Sequence, residues 1–141
     1  MYLLDTNVLS ELRQGRSSSS QNVRNWASKV PITQQFISAI SVMELEIGVL
    51  RLERRTPPKG GALRLWLEGV RGVFGARVLA VDEAVALRCA RLHVPNHAPE
   101  RDALIAATAL THGFTVVTRN VGDFKGTGAP LVDPWKHVRA S

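Results

Sequence analysis

The sequence holds a single cysteine, Cys89, so no internal disulfide can form. It also opens without a basic leader running into an apolar segment, and together these absences lead us to expect a cytoplasmic protein. Apolar runs are short and broken by charge, well under the ~20 residues that a membrane-spanning helix needs. No membrane association is therefore expected. Histidine is scarce, at four residues. His93 and His97 stand four apart like a metal pair, but Pro95 between them prevents a regular helix from presenting both to one ion. A His/Cys zinc site is disfavoured on that ground. Acids are the minority charge, 12 Asp and Glu against 18 Lys and Arg, for a net +6. That balance favours a polyanionic partner, nucleic acid first, without by itself deciding the matter.

What remains is the composition of a globular domain, 45% hydrophobic and 21% charged over 141 residues. We read residues 1–141 as one domain, long enough to bury about two-thirds of its unfolded surface. Tyr2-Leu3-Leu4 reads as a strand ending in Asp5, and Val8, Leu9 and Leu12 then recur at helical spacing. Ser17 to Ser20 reads as a loop, and Val23, Trp26 and Ala27 as a second helix. Phe36 to Ile40 forms an apolar strand pattern, after which Ser41 is placed to cap a helix carrying Val42, Leu45 and Leu52. Pro57-Pro58 and Gly60-Gly61 predict a break, expected to be a mobile loop, before the helical pattern of Leu63, Trp66, Leu67 and Val70. Val78 to Val81 gives a third strand, and Asp82 caps the next helix. Asp102 opens a run from Ala103 to Leu110 that is apolar almost all round, stopped by Gly113. Thr115 to Thr118 and Pro130 to Val132 supply a fourth and fifth strand. Alternating strands and helices predict an α/β domain in three layers, with a mostly parallel central sheet of four to five strands flanked by helices.

Such a sheet keeps its functional crevice beyond the carboxyl ends of the strands; Asp5, Glu44 and Asp123 fall at or just after such ends, and a fourth acid, Asp102, begins the buried helix. Each has a bland explanation. Asp5 can cap a helix, Ser41-Val42-Met43-Glu44 matches the S-x-x-E capping box, Asp102 suits a helix dipole, and Asp123 fits an Asx turn. Four separate explanations still leave the clustering unexplained, whereas a shared site accounts for all of them. Carboxylates brought together repel, and a divalent cation removes the conflict. An all-oxygen donor set points to Mg²⁺ or Mn²⁺ rather than zinc. Such an ion supports phosphoryl-transfer chemistry, with Glu44 or Asp123 as the candidate general base.

The segments Asp5-Thr6-Asn7, Ser41-x-x-Glu44-Leu45, Arg101-Asp102-x-x-Ile105-Ala106-Ala107 and Thr118-Arg119-Asn120-x-x-Asp123-Phe124 resemble, in order and spacing, those of a PIN domain. The opening Leu4 to Leu12 is similar to the VapC toxins of toxin–antitoxin pairs, in their FitB-like branch. The resemblance implies a Mg²⁺- or Mn²⁺-dependent endoribonuclease with Asp5, Glu44, Asp102 and Asp123 on the acidic positions. It also implies a homodimer and a cognate antitoxin that blocks the acidic cleft. Thr6, Asn7, Thr118, Arg119 and Asn120 match the polar positions beside the acids, where they would contact substrate or orient carboxylates.

An acidic pocket repels RNA, so attraction must come from its surroundings. Arg13, Arg16, Arg51, Arg54, Arg55, Arg119 and Lys125 are the candidates, although Arg51, Arg54 and Arg55 equally suit a solvated helix end. Cys89 reads as a small core residue. The tryptophans read as core or interface anchors, with Trp26 assigned to an interface. A haloacid-dehalogenase-like phosphatase would need a second Asp where Asn7 stands, and a receiver domain an acidic pair at the first strand. A metal-dependent DNase of flap-nuclease type shares the acid chemistry. A non-catalytic nucleic-acid-binding protein would use the same acids only as caps.

Overall fold

The structure, a computed structural model, describes residues 1–13 and 20–136. Five short strands make one parallel sheet: β1 (Tyr2–Leu4), β2 (Gln35–Ser38), β3 (Val78–Leu79), β4 (Thr115–Val117) and β5 (Leu131–Val132), in the order β3-β2-β1-β4-β5. Every pairing is parallel, where the alternating pattern predicts a mostly parallel sheet. Successive strand residues point to opposite faces, so neighbouring apolar residues serve two cores. Leu4 and Val117 face one core with Val8, Val23, Ile37, Leu45, Val49, Leu67 and Phe74. Leu3 and Val116 face the other with Ile105, Ala106, Ala109 and Phe124.

The first core is covered by α1 (Thr6–Glu11), α2 (Gln21–Lys29), α3 (Ala39–Arg55) and α4 (Pro57–Phe74). The second lies under α6 (Glu100–His112) and α7 (Val121–Phe124), and α5 (Glu83–Leu92) packs on α6 through Val85 and Cys89. This is the expected three-layer arrangement. Of the expected Ser17 to Ser20 loop, only Ser20 is described, and it caps α2; Ser17 to Ser19 and Arg16 lie outside the described residues.

One local reading changes. The Pro57-Pro58 and Gly60-Gly61 pairs form no loop. The prolines occupy the first turn of α4, where a missing N–H costs nothing. Gly60 lies against the backbone of α3, where a Cβ would stand 2.4 Å from Glu53 Cα, so only glycine permits this approach. Arg64 completes the clamp by pairing with both Glu46 and Glu53 of α3. Trp26, expected at an interface, is half-buried and packs edge-on to Tyr2 at 5.3 Å at the border of the first core.

The strand order also locates the crevice. From β1 the chain passes outward to β2 and β3, and then returns to the other side of β1 to build β4 and β5. The switch lies between β1 and β4, where the connections leave in opposite directions and open a gap at the carboxyl ends. Asp5 follows β1 and Thr118 follows β4. No helix among the described residues is long and apolar enough to cross a membrane.

Candidate active site

Asp5 stands at the switch, 5% exposed, and its backbone N–H still donates to Val117 O, so the residue is fixed by the sheet itself. Its carboxylate is held from both strands. Oδ1 accepts the Thr6 N–H at 2.8 Å, while Oδ2 accepts the Thr118 hydroxyl at 2.8 Å and the Asn7 amide at 3.3 Å. Capping α1 is thus part of its role, but the bond from β4 is not a cap. Thr118 is fully buried and its oxygen also accepts the N–H of Asn120 at 3.0 Å. A fully buried hydroxyl in that position orients Asp5, the carboxylate-orienting one of the two roles expected of Thr118.

The capping-box reading of Ser41 and Glu44 is also overturned. α3 begins at Ala39 and its cap is Ser38, whose hydroxyl accepts the Ile40 N–H at 3.0 Å. Ser41 and Glu44 therefore lie inside the helix on one face, three residues apart. The Thr6 hydroxyl donates its one proton to Glu44 Oε1 at 2.8 Å, so the buried Ser41 hydroxyl, 3.0 Å away, donates to Thr6. Glu44 also lies 3.7 Å from the Arg101 guanidinium of α6. Ser41 and Arg101 are the members that sequence reasoning missed as participants. Their placement one helical face from Glu44 and next to Asp102 was the available signal.

Asp102 occupies the first turn of α6 and Asp123 that of α7. Among the described residues, none donates a hydrogen bond to either carboxylate. The four acids are nevertheless near enough to share one field. Burial, and then the charges of Asp5, Asp123 and Glu44, hold the Asp102 carboxyl above the usual range. Burial likewise raises Asp5, partly offset by the Thr118 and Thr6 hydrogen bonds and reinforced by Glu44 and Asp123. The acids thus raise one another's carboxyls, and among the described residues the one ion pair to the cluster is that of Arg101 with Glu44. Among the described residues, no three Asp, Glu, His or Cys side chains already converge at metal-ligating distance.

The remaining polar positions have specific partners. Asn7 bridges the two central strands, since its amide also lies 3.4 Å from Thr118 Oγ1 and its oxygen accepts the Arg119 N–H at 3.4 Å. The Arg119 guanidinium sits over Trp135, 5.3 Å from the ring centre, rather than over the acids. Asn120 makes no side-chain cap on α7. Arg13 lines a cavity of about 270 Å³ with Thr6 and Glu44. Arg54 and Arg55 lie in the last turn of α3, about 15 Å along the helix from Glu44. They are a helix end and not part of the cleft. His93 and His97 do meet, but as stacked rings 4.6 Å apart, an arrangement that does not aim two ring nitrogens at one ion.

Comparison with known proteins identifies the family. The chain is 36% identical to the toxin FitB of Neisseria gonorrhoeae, over 96% of this chain and 99% of that protein. It is 33% identical to a VapC ribonuclease of Sinorhizobium fredii over the same shares. The crystal structure of FitAcB from Neisseria gonorrhoeae superposes with a TM-score of 0.86 at 34% identity, covering 96% of this chain and 99% of that one. Residues 2–128 match the PIN domain, and the chain belongs to the PIN-domain family.

Proposed function

We propose that this chain is a divalent-metal-dependent endoribonuclease and the toxin of a toxin–antitoxin pair. The observation that carries the reading is the buried Asp5 carboxylate, tied to both central strands at the switch point and surrounded by three further acids. Relatives named as a toxin and as a ribonuclease support the substrate class and the biological role. A toxin also calls for a cognate antitoxin to restrain it, and the family resemblance extends the reading to a homodimer.

The donor set fits a hard cation. It is all oxygen, and the Asp102 and Asp123 carboxylates accept no hydrogen bond from the described residues, which leaves their lone pairs free. Few protein oxygens and several waters are the usual shell of Mg²⁺. Asp5 and Asp102 are the ligands we assign, with Glu44 and Asp123 around them. A bound Mg²⁺ or Mn²⁺ would offset the carboxylate charge, make an attacking water more acidic and neutralise charge developing on the phosphate.

The chain's own groups supply the rest. Asp123, exposed and without a hydrogen-bond donor among the described residues, takes the proton of the water whose oxygen bonds to phosphorus. The bond from phosphorus to one ribose oxygen breaks, and solvent protonates that oxygen. Glu44, occupied by Thr6 and Arg101, is poorly placed for the same task and serves to position. The test is cleavage of structured RNAs and single-stranded DNA by purified protein with Mg²⁺, Mn²⁺ or EDTA, beside Asp5→Asn and Asp102→Asn. Metal-dependent RNA cutting that both variants lose is the expected result. RNA binding without cutting under any metal overturns it, and preferential DNA cutting moves the chain to the flap-nuclease class.

A further inference from the structure

Asp123 has a second neighbourhood. It borders a cavity of about 370 Å³ between the segment that joins α5 to α6 and the turn that follows α7. Leu92, Pro95 and Ala98 give this space an apolar lining, and Arg91, Asn96 and His97 supply polar groups on the same side. Thr127 lines the opposite side beside Asp123. Polar groups set among apolar ones, in a volume near the lower end of the ~300–1,000 Å³ of small-ligand sites, suit a pocket for one ring system.

We propose that this cavity is a base-binding subsite, which takes one unstacked nucleobase of single-stranded RNA beside the phosphate at the acid cluster. The inference rests on the ribonuclease reading and extends it to substrate selection. His97 offers the stacking surface, Asn96 the hydrogen-bonding edge, and Arg91 the contact to a neighbouring phosphate.

Three observations support these roles. The cavity and the acid cluster share Asp123, so a strand with its phosphate at one has its adjoining base within reach of the other. The His97 ring is preorganised. It stacks on His93 at 4.6 Å and 23°, and His93 is itself fixed by the Ala98 N–H donating to its Nδ1 at 3.1 Å. That bond puts the His93 proton on Nε2, which lies 3.7 Å from the buried Cys89 sulfur. A ring held in this way loses little freedom when a base stacks on it. Arg91, finally, is exposed in the last turn of α5 and pairs with no carboxylate among the described residues.

Two measurements test the proposal. In the first, metal-free protein is titrated separately with AMP, GMP, CMP and UMP while the histidine ring resonances are followed by NMR. At least one nucleotide should shift the His97 ring saturably, and Asn96→Ala should weaken that response about tenfold, the loss of one good hydrogen bond. In the second, a randomised single-stranded RNA is cut with Mn²⁺ and the ends are sequenced. Wild type should prefer one base next to the cut, and Asn96→Ala and His97→Ala, checked for unchanged melting, should flatten that preference. If no nucleotide moves the His97 resonances, or if the variants keep the wild-type preference, the subsite does not exist. If a nucleotide moves them while no RNA is cut under any metal, the subsite stands and the ribonuclease reading falls.

Discussion

Replacing Thr118 by valine removes one hydroxyl from the interior and keeps the side chain's shape. The hydroxyl is fully buried, donates to Asp5 Oδ2 at 2.8 Å and accepts from Asn120 at 3.0 Å. A hydrogen bond to an ionised acceptor contributes about 1.5–3 kcal/mol, and leaving part of a buried carboxylate unmatched puts the loss in the upper half, about 2–3 kcal/mol. For a chain of this length that corresponds to a fall of about 6–12 °C in Tm. Asp5 would also lose its tie to β4, so RNA cleavage should drop about 10–100-fold, as when a partner that orients a metal ligand is removed. Thr118→Ser, which restores the hydroxyl, should recover most of both. The assay is thermal unfolding at neutral pH in EDTA, paired with cleavage rates in saturating Mn²⁺. A Thr118→Val protein that melts within about 1 °C of wild type and cuts at the same rate would refute the reasoning, because a bond of the stated strength could not then exist.

Asp102→Asn should raise the melting temperature of metal-free protein at neutral pH. Burial and three neighbouring carboxylates hold the folded Asp102 carboxyl above its ordinary range, so its proton stabilises the fold fully below the unfolded pKa of about 3.9, and that contribution is lost as pH rises through the folded value. The advantage of the Asn variant should accordingly vanish in acid, as melting curves across pH would show. Mg²⁺ or Mn²⁺ at a hundredfold over its Kd should stabilise wild type by about 2.7 kcal/mol and Asp102→Asn by much less, measured by melting against metal concentration. Gly60→Ala should destabilise by about 1–3 kcal/mol through overpacking on Glu53, outweighing the helix preference for alanine. Gly61→Ala, with nothing within 4 Å of the added carbon, should instead gain up to about 1 kcal/mol, and urea unfolding of the pair separates packing from propensity.

Much of the fold was legible because its signals are local. Leu3-Leu4 and Val116-Val117 are apolar on consecutive positions, as strands covered on both faces must be, and they do feed two cores. The run from Ala103 to Ala109 announced a buried helix for the same reason, and Gly113 takes the left-handed conformation, φ 71°, that ends it. Where two local rules competed, the sequence misled. Pro57-Pro58 with Gly60-Gly61 reads equally as a break or as a helix start packed closely on its neighbour, and only the position of Glu53 distinguishes them. Ser41 was read as the cap of α3 while Ser38 was read inside the strand, and that reading hid the buried Ser41 hydroxyl that supports Thr6.

The sequence by itself determined the alternation of elements, a mostly parallel sheet and the four acids, because periodicity and strand-end position are properties of neighbours along the chain. The tertiary structure decided what each of these groups does. Thr118 and Asp5 are far apart in sequence and meet only because β4 lies beside β1, which makes one residue the anchor of the other. The same placement exposes Asp123 and carries Arg119 away to Trp135. It also joins the acids to the cavity walled by His97. Contacts of that kind depend on the strand order, and no local pattern of residues encodes the strand order.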